Sequence, residues 1–291
     1  MQNVHAVTFV QAILLALLQG VSELFPVSSL GHTILVPALF HWSVNRRDPT
    51  FLAFIVVLHL GTALALVIFY RREWIALARA LIASVVRGRM SGARDERIAW
   101  LLVVGTIPVG ILGVFLESAV RNLFGSAAFA SLFLMINALI MFAGEFLRRR
   151  QHEARGKQYK HLEAMTWTQS IAVGFAQSLA LLPGISRSGA SIVAGLAIDL
   201  DHEDAAHYSF LLATPVIGAA ALLEIPRLWA PGTHVIALQA VIGCLVAGIA
   251  AYASVAFLTR YFQRNDLRPF GWYCLAFGAL CLYLFYKGAI A

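Results

Sequence analysis

Pro183-Gly184-Ile185-Ser186-Arg187-Ser188-Gly189 lies in an otherwise apolar region, with Leu179, Leu181 and Leu182 before it and Ile192, Val193 and Leu196 after it. Its glycines, proline and serines interrupt a continuous helix. A guanidinium at membrane depth is costly unless it faces a polar cavity or a partner. Here Arg187 is bracketed by hydroxyls and by glycines that let backbone N–H groups turn inward. Backbone donors at a helix start, hydroxyls and one fixed cation are the groups that bind a phosphate. The stretch therefore reads as half of a phosphate site inside a membrane protein.

Composition sets the class. The chain has 291 residues, 60% hydrophobic and 13% charged. A soluble domain cannot hide that much apolar surface, so the expectation is an all-α, polytopic membrane protein forming one membrane domain over 1–291. The net charge of +7 does not point to nucleic acid, because the basic residues sit in short loops between apolar segments. Cys244, Cys274 and Cys281 fall in apolar segments without metal-type spacing and read as small buried residues. No Lys or Arg precedes Arg46, so a secretory leader is not expected.

Along the chain, residues 4–40 form two short apolar arms around a polar tip, Gln19 to His32. They read as a re-entrant hairpin, because non-helical backbone at that depth must be covered by protein or a wet cavity. Residues 167–200, around the opening stretch, read the same way. About six full spans are expected, over 51–70, 98–116, 126–147, 208–223, 235–258 and 270–286. Between them lie three basic loops: 71–97 with seven arginines, 148–166 with four arginines and two lysines, and one with Arg260, Arg264 and Arg268. With all three in the cytoplasm the spans alternate without conflict, though Arg46 and Arg47 are left outside. Trp272, Tyr273, Tyr283 and Tyr286 suit interface belts.

When Ser28 is laid on Ser186, Gln19 meets Gln177, Ser29 meets Arg187 and Gly31 meets Gly189. Each interrupted segment precedes three spans. Three is odd, so the halves 1–147 and 167–288 are expected to form an inverted-topology repeat with the ligand site at their interface.

Gln19 and Glu23 share a helix face. Glu23 is either a capping carboxylate or a base or metal ligand at membrane depth. Ser28 and Ser29 follow Pro26; one can cap a helix, and the other can act as a nucleophile if a base is near. His32 either faces Ser29 or is structural. His59 has no motif around it and reads as structural or cavity-lining. The run Asp199, Asp201, His202, Glu203 and Asp204 reads as a solvated, capping helix exit. Together the two tips offer Arg187, the hydroxyls of Ser28, Ser29, Ser186, Ser188 and Ser191, the turns at Gly184 and Gly189, a carboxylate, a carboxamide and a histidine. That set suits a pyrophosphate, since phosphoryl transfer needs positioning and charge neutralisation. A divalent cation (Mg2+ or Ca2+) would fit the same need, with Glu23 and Gln19 the candidate ligands. The rival reading is a membrane transporter or flippase that binds a lipid phosphate without cleaving it. A purely structural scaffold is weaker, since it leaves Arg187 and Glu23 without a reason.

At these residues the sequence resembles the bacterial undecaprenyl-pyrophosphate phosphatases, the bacitracin-resistance proteins. Their (Glu/Gln)-x-x-x-Glu, Pro-x-Ser-Ser-x-Gly-His and Pro-Gly-x-Ser-Arg-Ser-Gly motifs stand here as Gln19 to Glu23, Pro26 to His32 and Pro183 to Gly189. The resemblance implies hydrolysis of undecaprenyl diphosphate to the monophosphate and inorganic phosphate. That reaction recycles the lipid carrier of peptidoglycan synthesis and confers bacitracin resistance. It implies catalytic roles for Glu23, Ser29, His32 and Arg187, phosphate contacts from Ser186 and Ser188, and a divalent cation. A location in the bacterial inner membrane, a site open to the periplasmic side, surrounding membrane lipid and a homodimer are further expectations. Two positions depart from the family pattern. Gln19 stands where a glutamate is often found, and Leu30 where a small hydroxyl residue is common.

Overall fold

The computed structural model describes residues 7–44, 49–123, 126–155, 159–228 and 234–290. Eleven α-helices and no strand occur among them. The first hairpin is α1 (Phe9–Ser22) and α2 (Ser29–Leu39). Then come α3 (Pro49–Phe69), α4 (Arg71–Arg87), α5 (Arg94–Leu123) and α6 (Ala127–Arg155). The second hairpin is α7 (Trp167–Ser178) and α8 (Arg187–Ala197), followed by α9 (His202–Leu228), α10 (His234–Tyr261) and α11 (Arg268–Tyr286). By length and composition α5, α6, α9, α10 and α11 can cross a membrane, and the α3–α4 pair, bent by 86°, makes a sixth where it is counted as one span. The chain is a multi-pass, all-α membrane protein.

The basic stretch 71–97 is not the loop its charge suggested. It is helix α4 and the start of α5. Helix α4 has a buried side and an exposed side. Leu77 and Ser84 are buried, and Trp100 Nε1 on α5 donates to Ser84 Oγ at 2.8 Å. Ile75, Ile82, Val85 and Val86 are exposed on a second face. Arg72 and Arg79 are exposed on that same side, interleaved with the apolar residues at helical spacing. Gly88, at φ 66°, closes the helix in the left-handed conformation that glycine allows. Arg46, Arg47 and Lys157, counted in the charge pattern, and the side chain of Arg121 lie outside the described residues.

The two hairpins are built alike. Helix α1 opens on a capping box between Thr8 and Gln11, and α7 on the same box between Thr166 and Gln169. Ser28 caps α2 by accepting from Gly31 N–H, and Ser186 caps α8 by accepting from Gly189 N–H. All these pairs obey the register that lays Ser28 on Ser186. Packing is reciprocal as well: α1 lies on α10 and α7 on α5, while α3 meets α9 and α6 meets α11. Lipid tails are as apolar as leucine, so close backbone approach has to hold such pairs together. A Cβ on Gly61 of α3 would run into the carbonyl oxygen of Cys244 on α10.

At the other end of the molecule Glu145 accepts from Leu267 N–H at 3.0 Å and meets His202 Nε2 at 2.6 Å, joining α6, α9 and the turn before α11. Asp201 accepts from Asp204 N–H, as a cap does. The helix exit at 199–204 is thus a cap, as expected, but with His202 buried rather than solvated.

Candidate active site

Helix α1 ends where the sequence turns against it. Pro26 has no N–H and biases Phe25 away from helical backbone. The chain reverses over Leu24 to Val27 and restarts at Ser29. The second hairpin reverses over Leu182 to Ile185 and restarts at Arg187. Ser29 and Arg187 are therefore the first residues of α2 and α8, at the positive ends of two helices.

Both converge on Glu23. Ser29 Oγ donates to Glu23 Oε2 at 2.5 Å and Gln19 Nε2 donates to the same oxygen at 3.0 Å. Arg187 donates from Nε and Nη2 to Glu23 Oε1, each at 3.4 Å, and from Nη1 to Ser209 O at 3.2 Å. A further group faces Glu23 that the sequence reading set aside: His59 Nε2 lies 3.3 Å from Oε2. Of the four residues given catalytic roles, three meet in one cluster.

The fourth does not. The His32 ring is bonded through Nδ1 to Ser28 O at 2.8 Å and through Nε2 to Tyr273 Oη at 2.7 Å. It stacks on Tyr273 and Phe277. A carbonyl only accepts, so Nδ1 carries the hydrogen and Nε2 accepts from tyrosine. His32 thus turns away from Ser29 and holds the start of α2. Tyr273, assigned to an interface belt by composition, serves as its partner.

The hydroxyls and glycines expected at the phosphate are engaged within the protein. Ser28, at φ 67°, accepts through Oγ from both Gly31 N–H and Gly184 N–H, each at 3.2 Å. Its hydroxyl ties one hairpin tip to the other. Gly184, at φ 111°, fits against the backbone of Ala130, where a Cβ would collide. Ser186 and Ser188 bond to one another at 3.0 Å, and Ser188 donates to Phe25 O at 3.1 Å. Ser191 donates to Arg187 O at 2.8 Å and meets Ser209 Oγ at 2.7 Å. Gly189 N–H caps onto Ser186.

Asn137 was not singled out in the sequence. Its Nδ2 donates to Pro26 O at 3.0 Å and its Oδ1 accepts from Ser186 N–H at 3.0 Å, so one amide on α6 pins both tips. A lone asparagine in an apolar span was the available signal.

The donors around Glu23 can be tested against a divalent cation. Calcium takes six to eight oxygens, whereas magnesium keeps several waters and is held by one or two carboxylates together with substrate phosphates. Here there is one carboxylate, the Ser29 hydroxyl and Gln19 Oε1, which is buried and without a partner among the described residues. A guanidinium and an imidazole already occupy the carboxylate's other sides. No cluster of three or more His, Cys, Asp or Glu suited to a metal occurs among the described residues. The protein groups alone supply one anionic ligand for the ion expected at Glu23 and Gln19, so substrate oxygens and water would have to complete its shell.

Residues 12–280 match the family model described as bacitracin resistance protein BacA. The chain is 47% identical over 279 residues to undecaprenyl-diphosphatase 2 of Chromobacterium violaceum, covering 94% of this chain and 97% of that one. It is 41% identical to undecaprenyl-diphosphatase 2 of Frankia alni, covering 95% and 98%. It is 44% identical to undecaprenyl-diphosphatase of Acidiphilium cryptum, covering 96% and 98%.

Proposed function

Because the chain belongs to the bacitracin resistance protein BacA family, we propose that it hydrolyses undecaprenyl diphosphate to undecaprenyl phosphate and inorganic phosphate, with Ser29 as nucleophile. The observation that carries this is the 2.5 Å bond from Ser29 Oγ to Glu23, whose other oxygen faces Arg187. A nucleophile, its base and a phosphate-binding cation stand within one cluster. The relatives are named as diphosphatases, so the transporter reading is not carried forward.

In this reading Arg187 swings from Glu23 to the diphosphate oxygens, and the two helix N-termini add positive potential. Ser29 Oγ attacks the terminal phosphorus and passes its proton to Glu23. The bond from that phosphorus to the bridging oxygen breaks. Undecaprenyl phosphate leaves with the electron pair, and Glu23 returns the proton to the departing oxygen. Water then attacks the phosphoserine. Its proton passes through Glu23 to Ser29 Oγ, and inorganic phosphate is released. No step is routed through a cation. His32 holds the Ser28 carbonyl and so the position of Ser29.

The same reading makes 1–147 and 167–288 inverted repeats, supported by the paired capping boxes. It places the chain in the inner membrane, with 71–97 in the cytoplasm and the site open to the opposite side. Labelling Arg89→Cys from each face of sealed vesicles tests this; reaction from outside the cell would reverse the orientation. The chemistry is tested by acid-quenching the purified protein with undecaprenyl diphosphate labelled in the terminal phosphate. Label on the protein that Ser29→Ala lacks is expected. An unlabelled protein, with Ser29→Ala fully active, would overturn the serine step in favour of direct attack by water.

A further inference from the structure

His59 lies on α3, outside both motif-bearing hairpins, and reaches the carboxylate that the proposed chemistry depends on. Its Nδ1 is 2.8 Å from Ile55 O, one turn back on its own helix. A carbonyl oxygen cannot donate, so that nitrogen carries a hydrogen and the ring's orientation is set by α3 itself. The opposite edge, Nε2, is then aimed at Glu23 Oε2 at 3.3 Å. At that distance imidazole and carboxylate are in ion-pair contact.

The surroundings explain why such a group is needed. Glu23 is buried, and a buried carboxylate has to have each oxygen occupied. Oε1 faces Arg187. Oε2 receives Ser29 and the Gln19 amide. Gln19 stands on the same helix face as Glu23, one turn before it. It brings no charge, and its Oε1 has no partner among the described residues. In the absence of substrate the protein donor set therefore holds one anionic group and an imidazole beside it.

We propose that His59 is the positioning residue for the general base, doing at Oε2 what a bound cation would otherwise do. The bond keeps Glu23 turned to Ser29 when Arg187 leaves for the diphosphate, the moment at which Oε1 loses its partner. The two hairpins are matched at their tips, but the register that lays Ser28 on Ser186 lays Glu23 on Leu181 and His59 on Ile217. Base, nucleophile and positioning residue thus all belong to the first half, and the second half supplies the arginine. Helices α3 and α9 pack on each other. His59 approaches the site from one of them, and Ser209 holds Arg187 from the other.

This proposal rests on Glu23 acting as the base, so Glu23→Gln is run beside the His59 variants in purified protein. His59→Ala is expected to lower kcat by roughly 10- to 100-fold, as loss of a hydrogen bond to a charged group does, with KM held within about twofold. His59→Gln, whose amide can donate from a similar place, is expected to regain about half of that loss on a logarithmic scale. A His59→Ala enzyme within about twofold of the parent, beside an inactive Glu23→Gln, overturns the proposal and leaves the function standing. Full activity in Glu23→Gln overturns the reading of Glu23 as base. Equal inactivity of both His59 variants, with lowered unfolding temperatures, overturns positioning in favour of a structural role. A readout apart from activity is titration of the lipid-free protein with Mn2+ by electron paramagnetic resonance. The expected uptake at Glu23 is none, with parent and Glu23→Gln superimposing. One Mn2+ bound per parent chain and lost in Glu23→Gln would show that a cation, not His59, holds the carboxylate.

Discussion

Ser28→Ala separates a phosphate-binding serine from a structural one. In the structure its Oγ accepts Gly31 N–H and Gly184 N–H, both buried and both at 3.2 Å. The first bond is a helix cap, worth about 1 kcal/mol when replaced by alanine. The second leaves a buried N–H without a partner, at about 1–3 kcal/mol. Alanine and serine meet the same backbone strain at φ 67°, so that cancels. The expected loss is about 2–4 kcal/mol, or roughly 3–7 °C in Tm for a chain of this size. Unfolding in a fixed detergent at one scan rate measures it, with residual turnover read on the fraction still folded. Ser28→Asn is expected to recover part of the loss, since asparagine caps helices and tolerates left-handed backbone. A Ser28→Ala protein as stable as the parent yet inactive would refute the structural assignment and return the hydroxyl to the substrate.

Arg187→Lys keeps a charge but cannot reach Glu23 and Ser209 O together. Turnover is expected to fall by roughly 10- to 100-fold with little change in Tm, measured as phosphate release. Tyr273→Phe keeps the stack on His32 and removes one hydrogen bond, so a destabilisation of about 1 kcal/mol is expected by thermal unfolding. Outside the membrane-spanning segments, burial raises the Asp266 carboxyl, but hydrogen bonds from Arg268 outweigh it and hold it below the ordinary carboxylate range. A lowered folded value gives stability above the ordinary range that is lost as pH falls through the lowered one. Asp266→Asn should flatten the acid limb of a Tm-against-pH curve. Spin labels at Ile82 and Arg79 in lipid nanodiscs test whether α4 lies in the membrane plane. Oxygen contact is expected at both, since Ile82 and Arg79 share the exposed side, whereas both in water would refute it.

The sequence by itself determined the class, about six crossings and the two broken segments, and it named Gln19, Glu23, Ser29 and Arg187, which meet in one cluster. Those are written in local terms: apolar length, a proline that stops a helix, an arginine that has to find a partner. The capping boxes at Thr8 and Thr166, though a fixed local spacing, were identified only in the structure. Helix α4 was masked, because its arginines read as a loop until the faces around them are separated. Only the tertiary structure decided which groups meet. His59 and Asn137 gain their roles from packing of α3 and α6 against the hairpins, and a lone polar residue in an apolar span does not name its partner. His32, beside Ser29 in the motif, was carried away from it because one turn of α2 points its ring at Tyr273 on α11. The hydroxyls read as phosphate ligands turned out to satisfy backbone N–H and C=O groups. Where a broken helix leaves such groups exposed at membrane depth, no water is there to take them.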